Sequence, residues 1–109
     1  RRTRAPRRAV SSFIVQVLPE AEQEFREAFL WYFERSAIAA DAFRSLVFEA
    51  TDSLTVRADM WPADEDGIHF CMLTRFPYTI WYDVAGTRAS VLAVAHRYRC
   101  PNYWKTRGA

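Results

Sequence analysis

The residues of this 109-residue chain best equipped for chemistry lie in its C-terminal third, where Arg75, Arg88, Arg97, Arg99, Lys105 and Arg107 stand with His96 and Tyr103. A guanidinium offers a planar fork that grips two oxygens of a phosphate or carboxylate and stays charged at any relevant pH. The His96 imidazole, with an ordinary pKa of ~6.5, suits proton transfer. Tyr103 could share that work or stack beneath a base. An anionic partner would therefore meet this third of the chain. Only Lys105 of the 15 basic residues is a lysine, a bias that high-GC coding would produce equally well. Cys71 and Cys100 stand apart, with no paired spacing and no histidines at ligand distance, so neither a zinc site nor a disulfide framework is signalled. No cofactor is expected, and two free thiols suit a reducing cytoplasm.

Charge is segregated along the chain. The first eight residues hold five arginines, and no acid precedes Glu20. Residues 1–11 read as a flexible basic arm: the tail of an upstream extension, or a handle for RNA. An organelle transit peptide has the same flavour, but this arm is short and carries no cleavage signal. Without those five arginines, ten basic groups face thirteen acids, so the body from residue 12 to 109 carries a net charge of −3. Half the residues are hydrophobic, enough for one core and too few for two. No apolar run approaches the ~20 residues of a membrane-crossing helix.

The elements that must position these side chains follow from periodicity. Ile14, Val15 and Val17 predict a strand over Ser12 to Leu18, ended by Pro19, which pre-sets the first φ of a helix. Glu20, Glu22 and Glu24 crowd the helix's first turn, and Ala21, Phe25, Ala28, Phe29 and Tyr32 recur at steps of three and four as far as about Arg35. Ser36 is the expected N-cap of a second helix with an inner face of Ala39, Phe43, Leu46, Val47, Ala50 and Leu54. The acidic stretch Asp59 to Gly67 reads as a mobile loop. Strands are expected over Ile68–Thr74, Tyr78–Val84 and Ser90–His96, in an antiparallel meander. Strict alternation in the last would place Leu92, Val94 and His96 together facing the helices. The result is an α+β fold, β-α-α-β-β-β, with a helical hairpin on one face of a small sheet whose edge takes the first strand.

Two C-terminal motifs give the chain a family likeness. Residues Thr74-Arg75-Phe76-Pro77-Tyr78-Thr79-Ile80-Trp81-Tyr82-Asp83-Val84 and Val94-Ala95-His96-Arg97-Tyr98-Arg99-Cys100-Pro101-Asn102-Tyr103-Trp104, following Pro19, Ala21 and a helical hairpin with Trp31-Tyr32, resemble the RelE/ParE superfamily of toxins. The resemblance spans about residues 13 to 107. It implies a cytoplasmic, growth-arresting toxin, of the kind also called plasmid-stabilisation proteins, held in a hetero-oligomer by a small cognate antitoxin.

The family divides by target. RelE-like members cut messenger RNA on the ribosome without a metal; ParE-like members poison DNA gyrase by binding. The nuclease members carry an arginine on a central strand, another just after the last strand, and a tyrosine six residues on, positions matched by Arg75, Arg97 and Tyr103. On that reading, the two arginines stabilise the phosphate in the transition state, and His96 or Tyr103 moves the proton. The nuclease members also carry lysines leading into the sheet, whereas Trp61 to His69 holds acids and no lysine. A histidine before Arg97 is common among ParE-like members. Ribosome-dependent endoribonuclease is thus the first expectation and gyrase poison the alternative, with a degenerate antitoxin-binding module as the third.

Each site residue also has a plainer role: Arg75 as a surface cation paired with Asp83, Arg97 as an antitoxin contact, His96 as a satisfied histidine capping the sheet, and Tyr103-Trp104 as a flap over the helices. Trp31, Tyr32 and Phe33 in succession cannot all face one core, so at least one should be exposed, an expected seat for an antitoxin segment.

Overall fold

A computed structural model describes residues 12–98 and 102–107. The basic arm, Arg99 and Cys100 lie outside the described residues. Strand β1 (Ile14–Val17) leads into α1 (Pro19–Arg35) and α2 (Ala37–Arg57), followed by β2 (His69–Met72), β3 (Tyr78–Ala85) and β4 (Arg88–His96). The sheet order is β1-β4-β3-β2. β1 joins the edge as expected, parallel to β4, while the other neighbours pair antiparallel.

The helical hairpin turns on one residue. Ser36 is extended and closes α1 by donating its N–H to the Tyr32 carbonyl (2.7 Å), while its hydroxyl caps α2 by accepting from Ala39 N (3.1 Å). Pro19 occupies the first turn of α1, and Leu18 before it donates to the Val91 carbonyl, which fixes the helix start against β4. Ala21 and Ala28 are the buried residues of α1, and their small size lets the helix approach the sheet closely. From α2 come Ala40, Phe43, Val47 and Leu54; Ala40 takes the place expected of Ala39. Opposite them lie Cys71, Ile80, Tyr82, Val91 and Val94. The Tyr82 hydroxyl, fully buried, donates to the Ala58 carbonyl at the end of α2 (2.6 Å).

Strict alternation fails in β4. Trp81 pairs with Ala93 but Tyr82 pairs with Val91, so Leu92 is an extra residue bulged between them. Ala89 and Val91 consequently face the helices with Val94, whereas Leu92 joins Ala93 and Ala95 on the opposite face. That face is covered as well. Trp104 is 3% exposed and stacks on Trp81 with ring centroids 4.5 Å apart. The terminal flap exists, but it closes over the face away from the helices, where Leu92, Ala93, Ala95 and Trp81 form an apolar strip.

The acidic loop expected to be mobile is held by its own hydrogen bonds. Asp64 Oδ1 accepts from Asp66 N and Ile68 N, Gly67 takes the positive φ (+82°) that the turn requires, and Lys105 pairs with Asp66.

Burial pushes the Cys71 thiol from about 9 up to about 11, and raises Tyr82, Tyr78 and Tyr32 as well. In that window the native state holds protons the unfolded chain has lost, so stability falls as pH rises from about 9 towards 11. Urea midpoints should decline through this range, and Cys71 should resist iodoacetamide at pH 8 until denaturant is added; prompt native alkylation of Cys71 would contradict its burial.

Candidate functional site

The sheet brings three of the four expected site residues to one end. Arg75 lies in the turn between β2 and β3, not on a strand, and is exposed, its guanidinium 6.0 Å from the Phe76 ring centroid. Arg97 follows β4 directly, and its backbone N–H donates to the Pro77 carbonyl in the same turn (2.7 Å). Neither guanidinium meets an acid among the described residues. The Arg75–Asp83 pair suggested by the sequence does not form: Asp83 faces Ser90, towards the other end of the hairpin.

His96 pairs in register with Tyr78, and their rings meet edge to face at 5.1 Å. Its Nδ1 accepts from Tyr98 N (3.1 Å), which in the neutral ring leaves the proton on Nε2. The ring lies on the helix side and lines a cleft of about 520 Å³ with Glu24, Glu27, Trp31, Tyr32 and Tyr78. His96 and Arg97, adjacent in sequence, thus start from opposite faces of the sheet.

Tyr103 is placed by Glu24 of α1, a residue absent from the expected site. Its hydroxyl donates to Glu24 Oε2 (2.6 Å), and the guanidinium of Arg107 lies 4.9 Å from its ring centroid. Glu24 also accepts from Arg107 (3.1 Å to Oε1, 3.2 Å to Oε2) and from Val94 N (3.0 Å). Arg107 donates in turn to the Leu92 carbonyl (3.0 Å). These contacts have a geometric cause: β1 ends at Val17 opposite Val91, so the edge of β4 beyond it has no strand neighbour among the described residues. Val94 N–H and Leu92 C=O there find the Glu24–Arg107 pair in place of a backbone. A sequence signal existed. Glu24 lies three residues after Ala21 and four before Ala28, within the buried stripe of α1, where a carboxylate must be partnered.

Among the described residues no three of His, Cys, Asp or Glu gather where a metal could sit, and no helix is long and apolar enough to cross a membrane.

Residues 15–100 match the family model of the ParE toxin of type II toxin–antitoxin systems, parDE. The chain belongs to the ParE toxin family. The toxin's fold is also that of a solved structure described as a chromosomal ParDE toxin–antitoxin system from P. aeruginosa, with a TM-score of 0.68 at 16% identity over 79% of this chain and 97% of that one. No curated protein matches the toxin significantly. Membership in a toxin–antitoxin system gives the toxin an antitoxin as partner. As the sequence required, Trp31 and Phe33 are both about half exposed, as are Leu30 on α1 and Phe48 on α2.

Proposed function

We propose that the toxin arrests growth by binding DNA gyrase and poisoning it through protein contacts, without covalent chemistry of its own. One observation carries this choice over messenger cleavage: the Tyr103 hydroxyl is committed to Glu24 beside Arg107, where it completes a buried ion pair. A nuclease reading needs that group beside the phosphate held by Arg75 and Arg97, and Arg75 instead sits in an exposed turn. The lysine-free, acidic stretch from Trp61 to His69 would repel RNA at the approach to the sheet. The ParDE relative points the same way.

Two exposed arginines without acid partners among the described residues make the end of the sheet a surface for acidic protein, and the half-exposed apolar residues of the hairpin are the surface we assign to the antitoxin. Purified toxin should abolish supercoiling of relaxed plasmid by gyrase and accumulate cleaved DNA, leaving ribosome-bound messenger intact. In cells, thymidine incorporation should fall before methionine incorporation. Tyr103→Phe removes one charge-assisted hydrogen bond, costing about 1–3 kcal/mol of stability, and should leave the folded toxin able to poison gyrase. Early methionine loss with cut messenger, abolished by Tyr103→Phe in a folded protein, would return the toxin to the nuclease class.

A further inference from the structure

On the outer face of the sheet, where β4 leaves it, lies a cavity of about 240 Å³ lined by Phe70, Met72, Thr79, Trp81, Arg97 and Trp104, with Ala95 and His96 at its margin. Its walls are aromatic and apolar, and its polar equipment is biased towards donation. The Arg97 guanidinium has five N–H groups and no acid partner among the described residues. Behind the wall, the Trp104 indole N–H is buried with no hydrogen-bond partner among the described residues, a costly state for a donor. Thr79 is the buried polar residue of the strand floor, at 7% exposure. Such a site favours an acceptor, preferably an anion, carried on apolar surroundings.

The neighbouring charge decides which anion. Phe70 N–H donates to the Pro62 carbonyl, Ala63 bridges to His69, and Lys105, next to Trp104, pairs with Asp66. These contacts hold the acidic loop Asp64-Glu65-Asp66 against the cavity's rim. A polyanion crossing that rim would meet three carboxylates, and the one nearby lysine is already engaged. A single carboxylate on an apolar stretch of protein meets Arg97 without that repulsion. The volume, below the roughly 300–1,000 Å³ of ordinary ligand pockets, suits one side chain rather than a nucleotide. Met72, 54% exposed on the edge strand β2, extends the apolar surface for the residues flanking it.

We propose that this cavity receives an aspartate or glutamate side chain borne on an apolar segment of the toxin's target protein, its carboxylate gripped by Arg97 against the Trp81–Trp104 wall. The proposal rests on the gyrase reading above for the identity of that protein, while the chemistry of the cavity can be tested separately. The probe is the acetylated, amidated tripeptide Leu-Glu-Leu, titrated into 15N-labelled toxin while the indole N–H resonances are followed, with the Trp104 signal assigned from Trp104→Phe.

The Glu peptide should move the Trp104 resonance saturably, and the Gln counterpart should bind at least about tenfold more weakly. Arg97→Ala should erase that preference, and the same variant should lose gyrase poisoning while keeping its fold and its binding to antitoxin. Equal binding of the two peptides, no movement of Trp104 up to the solubility limit, or tighter binding of inorganic phosphate or a mononucleotide would each overturn the proposal. So would an Arg97→Ala toxin as potent as wild type on gyrase. Wild-type toxin inert towards gyrase, with the Glu preference intact, would sink the gyrase target and leave the carboxylate site standing.

Discussion

Glu24→Ala is expected to destabilise the toxin by about 3–5 kcal/mol, the usual cost of removing one member of a buried ion pair. The Glu24 side chain is 9% exposed and that of Arg107 17%, so solvent screens neither well. Removal takes the carboxylate acceptor from the Arg107 guanidinium, the Tyr103 hydroxyl and the Val94 N–H together, and breaks a charged link between the C-terminal segment and α1. Urea denaturation should show the loss, and trypsin should cut after Lys105 or Arg107 in conditions where the wild-type segment resists. Glu24→Gln keeps an acceptor but not the charge, and should fall between the two. Arg107→Ala added to Glu24→Ala should cost little more, because the two groups act as a unit. A Glu24→Ala toxin within about 1 kcal/mol of wild type would mean that the pair only balances its own desolvation.

The contrast between Glu24 and Arg75 shows what the sequence could and could not reveal. Element order, the Ser36 junction and the edge position of the first strand were legible because capping and periodicity are local properties, written within four residues. Register is not local. The extra residue at Leu92 is visible only against β3, and it reversed the faces of the first half of β4. The strand expected to run to Thr74 stops at Met72, so Arg75, matched by resemblance to an arginine on a central strand, lies instead in the turn before β3. Tyr103 was visible as a motif residue, but its partner lies 79 positions away, and no pattern around either residue links the two. The carboxylate on the buried stripe of α1 was the one local sign of that network.

The second large effect should come from the centre of the helical side. Phe43 is fully buried on α2, and its ring lies 5.7 Å from Phe25, 5.1 Å from Tyr32, 5.3 Å from Phe76 and 5.2 Å from Tyr78. It therefore joins both helices to the β2–β3 turn and the start of β3, the end of the sheet that carries Arg75 and Arg97. Phe43→Ala should cost about 3–5 kcal/mol, because four aromatic neighbours spread over α1, the β2–β3 turn and β3 cannot all collapse into the space. Against the 5–15 kcal/mol typical of a folded domain, that loss brings the free toxin close to unfolding and should lower its melting temperature by more than about 10 °C. Phe43→Leu, which keeps most of the volume, should cost less than half as much. Antitoxin binds the folded state and restores it by mass action, so Phe43→Ala should be recovered in the complex and lost when the antitoxin is removed. A free Phe43→Ala toxin that melts within about 3 °C of wild type would show that the aromatic cluster is not what seats the β2–β3 turn, and the positioning of Arg75 and Arg97 would then have to come from the main-chain bond between Arg97 and Pro77 alone.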